Sequence, residues 1–261
     1  MPACVKAVFT TRSGGVSAAP FDAMNLGNHV GDLPDSVAAN RAVLHRAIDT
    51  CRPAFLNQVH GIRVQRYEPD SLDGLSADAC LTSRSKLACC VMVADCLPVL
   101  LAAQDGSMVA AVHAGWRGLA GGRTGSGLGV IESVWKSFGA FAPQGQVPQA
   151  AKTIAWLGPC IGPSAFEVGE DVKAVFGAAQ PESAHWFVRI GPEKYLADLA
   201  GLARQRLQAL GITQIYGNDG SPSWCTAGNP SRFFSHRRDA GVAGNGFGTT
   251  GRMVACIWLD R

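Results

Sequence analysis

The chain has 261 residues, enough for one large domain with a substantial core, and no shift in composition marks an internal boundary, so a single domain over 1–261 is expected. Hydrophobic residues make up 47% and charged residues 16%, which excludes an intrinsically disordered chain. A net charge of +3 whose only basic cluster is Arg237–Arg238 argues against nucleic-acid binding, and the longest apolar run, residues 87–103, is broken by Asp95 and Pro98 before it is long enough to span a membrane.

The opening MPACVKAVFTTRSGG has no apolar h-region or cleavage pattern, and the nine cysteines lack paired short spacings. Both features point to a reduced, cytoplasmic compartment in which most thiols serve as small buried hydrophobes.

Residues 5–10 predict a strand, and 11–16, with Gly14–Gly15, a loop whose backbone can approach a ligand and which carries Arg12. Asp32–Leu33–Pro34 predicts a helix start with Asp32 as N-cap and Pro34 in the first turn. Val37, Leu44 and Ile48 share one face of that helix; Asn40 and Arg41 lie off it. Strands at 54–56 and 62–66 flank 57–61, where a chain reversal aims His60 inward, and strands at 77–81 and 87–93 continue the sheet up to Asp95. Taken alone, His60 reads as a structural histidine and Arg12 as a solvated loop cation.

The densest chemistry lies in 91–118, VMVADCLPVLLAAQDGSMVAAVHAGWRG. Two apolar runs joined by the turn residues Gln104 to Ser107 predict two buried strands, one carrying Cys96 at its end and the other His113. A tight turn with Trp116 and Arg117 follows, then a glycine-rich stretch, 121–129, before a helix at 130–138. Its backbone N–H groups suit a phosphate, but the spacing is neither a Walker A nor a dinucleotide fingerprint, and a surface connection is the simpler expectation.

Residues 143–148 read as a linker, 153–157 as a strand, and 158–169 as a fixed turn with Glu167 at the edge of a coming helix. Leu196, Leu199, Leu202, Ala203, Leu207 and Leu210 form a stripe that predicts one amphipathic helix over 194–210, ended by Gly211. Strands at 212–216 and 252–258 close the chain, with Cys225, Thr226 and residues 233–239 in a polar, aromatic loop region that can cover a pocket. The links between strand candidates from 54 to 112 are too short for crossover helices. The expected fold class is therefore α/β of the α+β type, a single domain of mixed β-sheets covered by helices.

His60, Cys96 and His113 lie too far apart for a finger-type motif, so only the fold can bring them together. Two imidazoles and one thiolate suit zinc, and three protein ligands leave a fourth position for water, as in catalytic rather than structural sites. Catalytic zinc brings the pKa of its water towards ~7, which suits attack on an amidine carbon or polarisation of a leaving group. The same donors accept copper, although six histidines in the whole chain are too few for a four-copper oxidase cluster. Two other readings stay open: a metal-free amide hydrolase with Cys96 as nucleophile and His113 or His60 as base, and a non-enzymatic metal-binding or interaction module. The module needs a fourth ligand, for which Cys160 and Cys225 are the candidates.

NQVHG, ADCLPVLL, VHAGWRG, GPCIGPSAFEVG and CT…FFSHRRD…TGRM, spread from Phe9 to Trp258, resemble the family of laccase-like multi-copper polyphenol oxidases and purine nucleoside phosphorylases. The resemblance implies a fold similar to bacterial toxin deamidases, and zinc or copper on His60, Cys96 and His113. It implies phosphorolysis of adenosine, inosine and methylthioadenosine, with purine nucleosides and phosphate as small-molecule partners, and deamination of adenosine. Some members are linked instead to cytoplasmic editing of cell-wall precursors or to copper-dependent polyphenol oxidation. TTRSGGVS and the Asn40–Arg41 pair match segments near the family's pocket, so Arg12, Asn40 and Arg41, with Arg117, are the expected substrate- or phosphate-binding residues. The chain departs from the pattern at His236, where the family motif has Tyr, and at 240–248, which resembles an insertion.

Overall fold

Leu87–Val93, Leu97–Ala103 and Val109–Ala114 are buried at every position, as strands covered on both faces must be, and they set the frame. The computed structural model describes residues 2–49, 51–121, 128–141, 149–242 and 249–261. The expected linker at 143–148, most of the glycine-rich 121–129 stretch and most of the 240–248 insertion lie outside the described residues.

In chain order the strands are β1 (Val5–Phe9), β2 (Arg52–Ala54), β3 (Leu56–Asn57), β4 (Val64–Arg66), β5 (Leu75–Ser76), β6 (Ala79–Thr82), β7 (Leu87–Val93) and β8 (Leu97–Ala103). They continue with β9 (Val109–Ala114), β10 (Thr153–Leu157), β11 (Glu167–Gly169), β12 (Phe187–Gly191), β13 (Lys194–Ala197), β14 (Gln214–Gly217) and β15 (Met253–Leu259). The α-helices are α1 (Pro34–Ala47), α2 (Trp116–Ala120), α3 (Val130–Phe141), α4 (Glu170–Ala179), α5 (Leu199–Ala209) and α6 (His236–Val242).

A four-stranded sheet, β1-β15-β7-β2, faces a six-stranded sheet, β14-β10-β8-β9-β6-β4, with smaller sheets β11-β13-β12 and β3-β5 beside them. Each large sheet mixes parallel and antiparallel neighbours, as the short links require. Alternation along β7 sorts the layers: Cys89 and Val91 pack with Leu100, Ala111 and Ile257 between the two sheets, whereas Ala88 and Cys90 turn to Leu44 and Ile48 beside α1. On the far face of the six-stranded sheet, Val99 and Leu101 meet Val134 and Phe138 of α3 and Leu202 of α5. The result is a helix, sheet, sheet, helix sandwich. Among the described residues no helix is long and apolar enough to cross a membrane.

Three features differ from the sequence-based expectation. The N-cap of α1 is Leu33, without a side-chain bond, because the Asp32 carboxylate is drawn inward by Ser17 Oγ at 2.7 Å and Asn25 Nδ2 at 2.9 Å. The single helix expected over 194–210 is strand β13 followed by α5, with Leu196 on the strand. Tyr195 and Ala197 point inward with a period of two, and Asp198 caps α5 by accepting from Gly201 N at 2.9 Å. Strand β12 had no sequence signal, since its apolar Val188 and Ile190 lie exposed at 63% and 47%.

Chain crossings between the sheets position the functional side chains. Residues 94–96 carry the chain from β7 into β8, that is, from one large sheet to the other, through Asp95 at φ 89°. Positive φ is uncommon outside glycine. It is held here because the Asp95 carboxylate accepts from Thr226 Oγ1 and from Arg237 N at 2.6 Å, while its carbonyl accepts from Ile161 N at 2.9 Å.

Replacing the α5 cap, Asp198→Ala, is expected to lower unfolding free energy by about 1 kcal/mol in urea titration. An unchanged midpoint would show that α5 does not depend on that cap.

Candidate metal centre and cavity

His60 and Cys96 both sit on chain crossings between sheets, and His113 is the second-last residue of β9. His60 lies between β3 and β4 in the left-handed region, φ 58°, and its loop is anchored on β7 by Gln58. The Gln58 amide imitates a strand neighbour: Nε2 donates to Met92 O at 2.8 Å and Oε1 accepts from Met92 N at 2.7 Å.

One carboxylate fixes the remaining geometry. Asp78 is fully buried and accepts from the backbone N–H of His60 at 2.8 Å and of Gly61 at 2.6 Å, while its Oδ1 accepts from His113 Nδ1 at 2.9 Å. With Nδ1 bound to Asp78, His113 keeps Nε2 free as a donor to a metal. Cys96 Sγ lies 3.7 Å from His60 Nε2, and the ligand atoms of His60, Cys96 and His113 all fall within 4.8 Å of one another. Tetrahedral zinc with bonds of ~2.0–2.3 Å separates its ligand atoms by ~3.3–3.6 Å. The set can hold a metal ion, and among the described residues it is the one such cluster of three or more.

Two glycines leave room for it. A Cβ on Gly115 would lie 2.9 Å from His60 Cδ2 and 3.1 Å from Cys96 Sγ, and one on Gly118 would lie 2.6 Å from Gly61 O. Without a metal the three groups perturb one another. Burial pushes the Cys96 thiol up, but the charge and hydrogen bond of His113, with His60, bring it down to about 6. Burial pushes His113 down, and the Cys96 thiolate and Asp78 overcome this, raising it to about 9. Burial likewise pushes the Asp78 carboxyl up, and the hydrogen bond and charge of His113 hold it below its usual range. A thiolate is therefore already favoured before any metal arrives.

The cluster opens onto a cavity of about 900 Å³. Its wall includes Arg41, Arg117, Arg237 and Arg252, three of them stacked on aromatic rings: Arg41 on Phe55 at 4.2 Å, Arg117 on Trp116 at 4.5 Å and Arg237 on Phe166 at 5.7 Å. His236 also borders it.

Of the residues expected at the substrate, Arg41 and Arg117 line the cavity, and Arg12 and Asn40 do not. Arg12 turns its guanidinium to Asp22 and to Pro230 O, so its charge is used inside the fold. Asn40 is fully buried, donating to Ser17 Oγ, Ala23 O and Asn25 O and accepting from Val16 N. Cys160 and Cys225, the candidate fourth ligands, stand outside the cluster; Cys225 Sγ accepts instead from Gly162 N at 3.2 Å. Asp78, His29 and Arg252 were not picked out by sequence reasoning. Asp78 has no local signature; Arg252 lies within the TGRM motif.

Residues 6–260 match the family described as multi-copper polyphenol oxidoreductase laccase, and the chain belongs to that family. It is 43% identical over 260 residues to a Pseudomonas aeruginosa protein named purine nucleoside phosphorylase, covering 99% of this chain and 95% of the relative. It is also 43% identical over 259 residues to the Escherichia coli purine nucleoside phosphorylase YfiH, covering 99% and 95%. A Neisseria meningitidis protein of solved structure superposes with a TM-score of 0.84 at 42% identity, covering 100% of this chain and 96% of that one. YlmD from Geobacillus stearothermophilus gives 0.82 at 31% identity, covering 99% and 93%.

Asp78→Asn is expected to weaken metal retention about 10- to 100-fold in competition with a chelator, because it removes the partner that fixes the His113 ring. Cys96→Ser is expected to lose most bound metal while the circular dichroism spectrum stays native. Full metal occupancy in the serine protein would remove Cys96 from the ligand set.

Proposed function

We propose that the chain is a zinc-dependent purine nucleoside phosphorylase acting on adenosine, inosine and methylthioadenosine, with adenosine deamination as a second activity. The observation that carries this is an open three-ligand cluster on the wall of a cavity about 900 Å³ in volume, lined by arginines and aromatic rings. A volume of that order suits a nucleoside together with a small anion. The relatives' name, purine nucleoside phosphorylase, supports the broader class of purine nucleosides with phosphate. All nine cysteines are free thiols, which agrees with a reducing, cytoplasmic setting.

In phosphorolysis a phosphate oxygen forms the bond to C1′ of the ribose as the C1′–N9 bond breaks. The electron pair goes to the purine, which takes up a proton. The arginines neutralise the incoming dianion and hold it in line, so that an encounter of two molecules becomes a reaction within one complex. The aromatic supports of Arg41, Arg117 and Arg237 restrict these guanidinium groups without cancelling their charge. His60, Cys96 and His113 would hold the zinc, which when bound supplies Lewis acidity and an activated water for the deamination. Trp116 and Phe166 offer apolar surface to the base.

A second reading rests on one arrangement. Asp78 orients His113, and His113 lowers the Cys96 thiol, which also describes a cysteine nucleophile with its base and orienting acid. Metal analysis with thiol alkylation decides between them: stoichiometric zinc with Cys96 resistant to iodoacetamide supports the phosphorylase, and a metal-free protein whose Cys96 reacts rapidly supports the hydrolase.

Zinc-loaded protein is expected to release hypoxanthine from inosine only when phosphate is present, equally well without oxygen, and with negligible phenol oxidation. Turnover that strictly requires oxygen and copper, with no phosphate-dependent release of base from any purine nucleoside, would overturn the assignment.

A further inference from the structure

A second stretch of the cavity wall, distinct from the metal ligands, is built around one short segment, residues 25–29, laced between α1 and the entry to β15. Leu26 O accepts from Arg41 Nε at 3.0 Å, and Leu26 N donates to Arg252 O at 3.1 Å. Arg252 N donates to Asn25 Oδ1 at 2.9 Å, and Asn40 Nδ2 donates to Asn25 O at 2.8 Å. Gly27 is required here, since a Cβ would lie 2.8 Å from Arg252 Cγ. The two guanidinium groups are thereby brought to the same part of the wall as Asn28 and His29, all four of which line the cavity.

Neither arginine is neutralised. Among the described residues no carboxylate pairs with Arg41 or Arg252; Arg41 gives only Nε to a backbone carbonyl, and Arg252 gives only Nη1, to Thr250 O and Gly251 O. Both Nη groups of Arg41, and Nε and Nη2 of Arg252, keep their donors. The nearby Asp73 is already paired with Arg52 at 3.0 Å, and the Asp95 carboxylate is taken up by Thr226 and Arg237 N. His29 lies within the field of both cations: burial, then the charges of Arg252 and Arg41, lower its pKa and leave it a neutral hydrogen-bonding group. Two unpaired, partly buried guanidinium forks flanking a neutral imidazole and an amide form a set of donors that matches a tetrahedral oxyanion.

We infer that Arg41, Arg252, His29 and Asn28 form a phosphate subsite that holds inorganic phosphate in the cavity onto which the metal ligands open. The inference rests on the phosphorylase reading for its role in turnover, but the binding itself needs neither nucleoside nor metal. It moves the anion away from Arg12, and it makes Asn40 a positioning residue that acts through the Asn25 loop.

The test measures binding of inorganic phosphate to the intact protein by calorimetry, with and without a metal chelator, for Arg41→Gln and Arg252→Gln. Each variant is expected to bind phosphate about tenfold or more weakly, the loss of charge-assisted hydrogen bonds to one guanidinium. In turnover each is expected to raise the KM for phosphate by a similar factor while leaving the KM for inosine within about twofold. Should a glutamine variant fail to fold, the lysine variant at that position decides, because it keeps the charge and loses the fork; weaker phosphate binding is expected there too. Folded variants at both positions with wild-type phosphate affinity overturn the subsite, even if phosphorolysis proceeds. Phosphate binding that the variants lose, in a protein without phosphorolysis, supports the subsite and overturns the phosphorylase reading instead. Inosine 5′-monophosphate that displaces phosphate and binds more tightly than it would transfer the subsite to a phosphate ester and overturn the assignment to the inorganic ion.

Discussion

The buried carboxylate of Asp78 is the constraint on which the site depends. A charge removed from water is costly unless hydrogen bonds replace its hydration. Here the compensation comes from the backbone of His60 and Gly61 and from the ring of His113, so the same carboxylate draws together two of the three residues that could hold a metal ion. The left-handed conformation of His60 persists because its amide has this partner inside the protein. The strain at His60 and the orientation of His113 share a single physical cause.

Much of the frame was legible in the sequence because full burial on two faces produces uninterrupted apolar runs. β7 and β10 fall at their expected limits, and β9 carries His113 near its end as expected. The boundary between β13 and α5 was not legible, since Leu196 happens to extend the leucine stripe of α5 backwards by one step. Only the capping bond of Asp198 and the inward Tyr195 reveal that the period changes there. For the site, the three clustered residues were recognised through motif resemblance and not through spacing, because two of them lie on crossings between sheets. Arg12 and Asn40, expected at the substrate from the same resemblance, lie away from the cavity lining. Both sit in motif segments, yet their hydrogen-bonding groups are turned to neighbouring loop residues.

The electrostatic character of the cavity follows from how its cations are held. A surface arginine is commonly restrained by a carboxylate, which also removes its charge. Stacking Arg41 and Arg117 on Phe55 and Trp116 restrains them while leaving the field intact. A concave, partly desolvated wall with this charge concentrates small anions and speeds their entry, an effect that rising ionic strength diminishes.

The placement of His60 and Cys96 on separate sheet crossings has a consequence for biogenesis. Cys96 and His113 stand at one end of the β8–β9 hairpin, where Pro98 is opposite His113, but a two-stranded hairpin alone is marginal in water and His60 arrives by a different crossing. An emerging polypeptide therefore has no local three-ligand trap with which to capture the ion and use it as a nucleus. The sandwich must assemble first, from hydrophobic packing, and an ion held by these three side chains would join a finished scaffold rather than nucleate it.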